Sequence, residues 1–308
     1  MGRKRRGDPV HGWLIVDKPM GMTSSTVVGK VRRIFNAAKA GHGGTLDPLA
    51  TGILPIAFGE ATKTVSYVMD GIKSYRFTVR WGESRTTDDA EGEISGTSDV
   101  RPDETQIRAA LASFVGDIEQ VPPIYSAIKV DGQRSYDLAR RDQAVELKSR
   151  IIHIEKFTLL EIPDADHATL EVVSGKGAYV RGLARDLALK LGTVGHISML
   201  RRLSVGPFDE KSAISLDKLE VLGHSAPPVD SLMAVETALD DIPALALTDQ
   251  EARSLQHGQF IAVLPVANRS SLGKVNPEAV YRAMADGKIV ALTKIVGGEI
   301  RPLRVFYV

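Results

Sequence analysis

A mixed α/β fold, with strands and helices in quick alternation, is predicted by three observations. Short runs of alternating or continuous apolar residues recur between stretches of 3.6-residue periodicity. Glycine and proline punctuate the boundaries, and the chain from about residue 244 reads as short strands around one helix.

Trp13–Val16 is a short apolar strand, and Thr23-Ser24 are capping candidates for a helix whose Val27, Val28, Val31, Ile34 and Phe35 share one face. A glycine-rich loop spans Gly41 to Gly52. After it come an apolar strand at Ile53–Phe58, a short helix around Ala61–Met69 and an alternating strand at Ser74–Trp81. Asp103–Val115 reads as an amphipathic helix, and Ile124–Val130, Ile151–Leu160 and Thr169–Val173 read as strands. Residues 179–191 are helical again, with Val180, Leu183, Ala184, Leu187 and Leu191 as the apolar stripe and Gly192 as the stop. Gly206 to Pro243 is acidic and carries Pro227-Pro228, which suits a connector. The tail contains a helix at Thr248–Gln256 and strands at Lys288–Ile295 and Leu303–Tyr307. These boundaries divide the chain into residues 1–243 and a small unit, 244–308.

The 308 residues are ordinary globular material, 43% hydrophobic and 25% charged. Absence of cysteine removes disulfides, thiolate nucleophiles and cysteine-ligated metals. The longest charge-free apolar stretches, Leu49–Phe58 and Phe260–Ala267, contain Pro55 and Pro265 and fall well short of the roughly 20 apolar residues a spanning helix needs. The basic start, Arg3-Lys4-Arg5-Arg6, is followed by no apolar segment of signal-peptide length, so a cytoplasmic protein with no membrane contact is expected.

Net charge is +1, yet charge is segregated along the chain. Residues 1–50 hold nine Lys/Arg against three Asp/Glu, and residues 176–202 hold six against one. Residues 83–119 reverse this with ten acids and three bases. A basic face suits a polyanion such as RNA, although charge runs also serve simply as solvated surface.

Phosphate-loop, dinucleotide, nucleophile-elbow and metalloprotease motifs are all missing, and the seven histidines show no i,i+4 pair, so no metal or cofactor is expected. What stands out is Gly41-His42-Gly43-Gly44-Thr45-Leu46-Asp47-Pro48-Leu49-Ala50-Thr51-Gly52, four glycines around one carboxylate. Glycine allows close approach to a ligand, and proline restrains the residue before it to extended conformations. Asp-Pro and Gly-Gly also make ordinary turns, and the loop alone does not decide between these uses.

That loop closely resembles the catalytic loop of the bacterial tRNA pseudouridine synthase B family. Further segments agree in order: Lys18-Pro19-Met20-Gly21-Met22-Thr23-Ser24, Gly59-Glu60-Ala61-Thr62-Lys63, Lys73-Ser74-Tyr75, Thr86 to Gly92, Gln120 to Ala127, Lys129 to Arg140, Gly177-Ala178-Tyr179-Val180-Arg181 and Leu200-Arg201-Arg202. The resemblance covers about residues 12–208. It departs at Asp142, near which a glycine is usual.

The resemblance implies a pseudouridine synthase fold, a mixed and largely antiparallel central sheet flanked by helices. It also implies an RNA-binding insertion near 121–152 and a small C-terminal PUA-like RNA-binding domain. The implied activity is cofactor-free isomerisation of the T-loop uridine of tRNA, by base flipping and a break and rejoining of the glycosidic bond. Asp47 matches the family's catalytic aspartate, acting on C1′ or on the 2′ proton. Arg181 is its charge partner and Tyr75 the ring against uracil, although a tyrosine in an alternating strand also suits a core. His42 is similar to the residue that fills the gap left by the flipped base. Tyr179 and Leu200 resemble pocket walls, with a core role as the alternative. Lys18 and Lys63 are candidates to hold phosphate or brace the site. Lys129, Arg134, Arg140, Arg141, Arg201 and Arg202 are the expected RNA contacts. The partner is the tRNA T stem-loop, with no obligate protein partner. An RNA-remodelling protein without catalysis and a small-molecule isomerase or hydrolase are the competing classes.

Overall fold

The computed structural model describes residues 7–126, 128–130, 132–135, 138, 141, 147–224, 226–270, 276 and 278–308. Its centre is a ten-stranded mixed sheet. In chain order the strands are β1 (Gly12–Lys18), β2 (Ala40–His42), β3 (Thr51–Phe58), β4 (Lys73–Trp81), a separate hairpin of β5 (Glu83–Arg85) and β6 (Ile94–Thr97), and β7 (Gly116–Gln120). A second small hairpin, β8 (Lys129–Val130) with β9 (Gln133–Arg134), precedes β10 (Arg150–Asp164), β11 (His167–Ser174), β12 (Gly195–Val205), β13 (Phe208–Asp209) and β14 (Ile214–Ser215). The spatial order is β14-β1-β3-β12-β4-β11-β10-β7, with β2 beside β3 and β13 beside β12. Only β1/β14 and β3/β12 run parallel; the other pairs are antiparallel.

β1 shows why the strands sit where they do. Its residues are apolar on both sides, and Trp13 and Ile15 face one core while Leu14 and Val16 face another, as expected for a strand covered on both faces. Helix α1 (Ser24–Ile34), capped by the Thr23 hydroxyl, lays Val27 and Val31 against the second of these cores. Phe77, Val79 and Trp81 of β4 pack with Ile152, Ile154 and Leu170 under helices flanking the sheet. Those helices contribute Ile107, Leu111, Leu183 and Leu187. After α2 (Val65–Asp70), α3 (Glu104–Leu111) begins at Asp103 with a reciprocal capping box to Gln106, and α4 (Val180–Lys190) begins after Tyr179. The apolar stripe of α4 is the expected one: Val180, Leu183, Ala184 and Leu187 are buried.

Three expectations change. Gly206–Pro243 is more than a connector, since it adds β13 and β14 to the central sheet and buries Leu216, Leu219, Val235 and Leu239 in its cores. Ile124–Val130 is not a strand: residues 124–126 form bends, and only Lys129–Val130 pairs. Ala61–Met69 is not one helix but a 3₁₀ turn, Gly59–Lys63, followed by α2.

After α5 (Leu216–Gly223), a five-stranded sheet follows from β15 (Ala244–Ala246), β16 (Ile261–Ala262), β17 (Val280–Ala285), β18 (Lys288–Val296) and β19 (Glu299–Val305), with α6 (Asp249–Gln256) and α7 (Val263–Arg269). It has its own core around Leu245, Leu255, Tyr281 and Ile300. Ile289, Leu292 and Phe306 instead join Trp13, Val68, Phe208 and Leu239 of the first unit. Among the described residues, no helix is long and apolar enough to cross a membrane.

Candidate active site

The glycine-rich loop leaves β2 and re-enters the sheet as β3, and its shape is fixed from both sides through backbone groups. Gly43 donates to Pro55 O at 2.7 Å. The buried Ser24 hydroxyl accepts from Leu46 N at 2.8 Å and donates to Leu46 O at 3.1 Å. Pro48 O accepts from Gly21 N at 2.8 Å and from Lys18 Nζ at 3.2 Å. Gly52, at φ +99°, is required: a Cβ there would lie 2.2 Å from Arg202 O. Leu46 is buried and Asp47, between the clamped residues, keeps its carboxylate 38% exposed.

Two fully buried cations do much of this clamping. Arg202 donates through Nε to Ile53 O at 2.7 Å, through Nη1 to Thr45 O at 3.3 Å and through Nη2 to Gly44 O at 3.1 Å. Lys18 Nζ also donates to Met22 O at 2.7 Å and Pro19 O at 2.9 Å. Lys18 takes the bracing one of its two expected roles, and Arg202 is not the RNA contact expected of it, because the carbonyls freed by the irregular loop occupy their donors inside the protein. A buried charge needs such partners.

Burial lowers the Lys18 pKa from 10.5 to about 8, opposed by the nearby Asp47 carboxylate. Between these values the unfolded chain holds a proton the folded chain has lost, so stability contributed at this position rises with pH. The stability gap between the protein and Lys18→Met is therefore expected to move in the protein's favour by about 2 kcal/mol between pH 7 and pH 10, measured by urea denaturation. A gap independent of pH would contradict a lowered Lys18 pKa.

Arg181 occupies the first turn of α4 and is 6% exposed. Its Nε donates to Asp47 Oδ2 at 2.9 Å, Nη1 to Thr87 O at 2.7 Å and Nη2 to Tyr125 O at 2.8 Å. Asp89, 8% exposed, stands 3.6 Å from the same Nε and accepts from Thr87 Oγ1 at 2.5 Å and Glu91 N at 3.1 Å. Asp47, Asp89, Arg181 and Leu200 line one cleft, together with Ile197, Ser198 and Met199 at a bulge of β12 that redirects those side chains.

Tyr75 and Leu200 are half-buried at the seam of two cores. The Tyr75 side chain lies within electrostatic reach of the buried Arg202 guanidinium, which clamps the Asp47 loop. Tyr179 immediately precedes α4, with its ring 4.8 Å from the Arg150 guanidinium and its backbone N–H and C=O both bound by the Gln120 carboxamide, at 2.9 and 3.0 Å. His42 ends β2 opposite Ile56, at the start of the loop.

One other assignment needs correcting. Lys63 bonds Glu60 Oε2 at 2.6 Å and Val305 O at 2.8 Å, so it ties the 59–63 turn to the end of β19 and not to the cleft. Arg201, expected on the RNA, is held by both oxygens of Asp17 at 2.9 and 3.0 Å and by Glu210 at 2.7 Å. Arg141 is exposed; Arg140 and the side chains of Lys129 and Arg134 lie outside the described residues. Among the described residues, no cluster of His, Asp or Glu could hold a metal. The sequence gives Asp89 and Gln120 no role in the site, and marks Ser24 only as a helix-capping candidate. Each lies in a segment that also carries an assigned residue or a family motif, and position within such segments was the available signal.

Residues 32–180 match the model of the TruB family pseudouridylate synthase N-terminal domain, and residues 181–240 match the tRNA pseudouridylate synthase B C-terminal domain. The chain is 62% identical over 305 residues to the tRNA pseudouridine synthase B of Rhodospirillum rubrum, covering 99% of each, and 53% identical to that of Caulobacter vibrioides, again over 99% of each. Among solved structures it is similar to one of a Cbf5–Nop10–Gar1 complex, with a TM-score of 0.75 at 26% identity over 100% of this chain and 91% of the other.

Proposed function

Since the chain belongs to the TruB family of pseudouridylate synthases and is thus an isomerase, we propose that it converts the T-loop uridine at position 55 of tRNA to pseudouridine, with Asp47 as the catalytic carboxylate. The observation that carries this reading is the asymmetry of the Asp47–Arg181 pair. The arginine is buried and bound on every nitrogen, while the carboxylate is over a third exposed and spends Oδ2 on Arg181. Oδ1 is then the oxygen to meet the ribose.

In the reaction the N1–C1′ bond of uridine breaks, the uracil turns, C5 bonds to C1′, the C5 proton leaves to solvent and N1 takes up a proton from solvent. Oδ1 either attacks C1′, to be displaced when C5 bonds, or takes the 2′ proton and returns it. Arg181 balances the charge on Asp47 in both cases, and no redox partner is needed. Tyr75 offers a ring to the uracil face, where stacking on an aromatic contributes about 1–3 kcal/mol. Extrusion of the nucleotide costs a few kcal/mol of stacking, offset by phosphate contacts from the insertion near 121–152, including Arg141, and from residues 244–308. Tyr179 and Leu200 wall the site, and His42 fills the gap left by the flipped nucleotide.

The test is tritium release from tRNA transcript labelled at uridine C5, without added metal, followed by mapping of the modified position. Release confined to the T-loop uridine is expected. Tight tRNA binding without release would favour the RNA-remodelling alternative, and release from another position would overturn the choice of uridine.

A further inference from the structure

One turn after Arg181, α4 carries a second arginine whose contacts repeat the first. Arg181 spans from Thr87 O to Tyr125 O. Arg185 spans from the Asp88 carboxylate, through Nη1 at 3.1 Å, to Val121 O, through Nη2 at 2.7 Å, while its Nε donates to Asp186 Oδ1 at 2.9 Å. Residues four apart on a helix lie on one face, and the two guanidinium groups form parallel rungs between the 87–89 turn and the 121–125 segment.

Asp88 is the centre of that turn. Its φ of +60° is a left-handed conformation uncommon outside glycine, and it persists only where surroundings impose it. Three bonds do so: Asp88 N donates to Arg85 O at 3.0 Å, Asp88 O accepts from Ile197 N at 3.1 Å, and the carboxylate accepts from Arg185. The residues on either side, Thr87 through its carbonyl and Asp89 through its carboxylate, are the ones that meet Arg181. Burial pushes the Asp88 carboxyl up and Arg185 and Arg181 oppose it, which fits a charge kept inside by its partner. Neither Arg185 nor Asp88 lines the cleft.

We propose that the Arg185–Asp88 pair is a positioning device for the reaction: it sets the 87–89 turn, and through Val121 the root of the insertion, so that Arg181 is aimed at Asp47. This rests on the roles proposed above for Asp47 and Arg181. Because neither residue lines the cleft, the effect belongs to the rate of the chemical step and not to tRNA affinity.

Arg185→Met and Asp88→Asn are compared with the wild type and Asp47→Asn in single-turnover label release at saturating tRNA, alongside tRNA binding and thermal unfolding. Each of the two variants is expected to slow release about 10- to 100-fold, the effect of a misplacement near 1 Å, with tRNA affinity within about twofold. The double variant is expected to be no slower than the slower single one, because both remove the same contact. Unchanged release below the unfolding temperature would make the pair merely structural and overturn the inference. Weakened binding with a salt slope reduced by about one would make Arg185 a phosphate contact and overturn it too. Should Arg185→Met fail to fold, Arg185→Lys, which keeps the charge but not the fork, carries the same expectation and is read the same way. An inactive wild type, or an active Asp47→Asn, overturns the proposed function and this inference with it; an active wild type with unaffected pair variants overturns the inference alone.

Discussion

Asp47→Asn is expected to reduce label release by at least about 10³-fold while leaving the fold intact, an effect within the range that a positioned acid or base supplies. Asparagine has the same shape and can still accept from Arg181, but its amide neither attacks a sugar carbon nor holds a proton. The loop around it is kept by bonds that do not use the carboxylate: Ser24 to Leu46, Gly21 and Lys18 to Pro48 O, and Arg202 to Thr45 and Gly44. Unfolding of the variant by urea should therefore shift by less than about 1 kcal/mol. Release at the wild-type rate would remove Asp47 from the chemistry and leave Asp89 as the other carboxylate lining the cleft.

Arg181→Met is expected to damage stability and activity together. The substitution leaves Asp89 buried with its nearest cation gone and strips the donors from Thr87 O and Tyr125 O. Removing one partner of a buried pair costs about 3–5 kcal/mol, which urea denaturation would read directly. Arg181→Lys separates the two effects. It keeps a charge but replaces a planar fork with a single ammonium, so most of the stability should return while label release stays at least about 10²-fold down. A methionine variant as stable as the wild type would show that Asp89 does not depend on this arginine.

These expectations depend on features of unequal visibility in the sequence. β1, β3, α1 and α4 were legible because burial imposes a period on apolar residues, and the burial pattern of α4 follows its stripe. β12, central in the sheet between β3 and β4, was missed altogether. Its alternation is broken by irregularities between Ile197 and Met199 and between Arg202 and Ser204, and its adjacent arginines read as surface. Arg202 is nonetheless inside because a glycine-rich loop exposes carbonyls instead of pairing them, and a guanidinium is the side chain that can gather several at once. Lys18 is inside for the same reason. Lys63 was misplaced because its partner, Val305, is 242 residues away, a distance no local pattern encodes. The Asp47–Arg181 pair lies 134 residues apart. It was expected through family resemblance, while its geometry comes from the meeting of a loop and a helix start.

Phe306, Ile289 and Leu292 share a core with Trp13 and Phe208, and Lys63 fastens Val305 to the 59–63 turn. The last strands are thus bolted to the sheet that carries Asp47, not tethered on a linker. A part mounted this way works as a caliper: any RNA touched by residues 244–308 is touched at a set distance from the carboxylate. The spacing between the carboxylate and residues 244–308 is thereby a fixed property of one packed body.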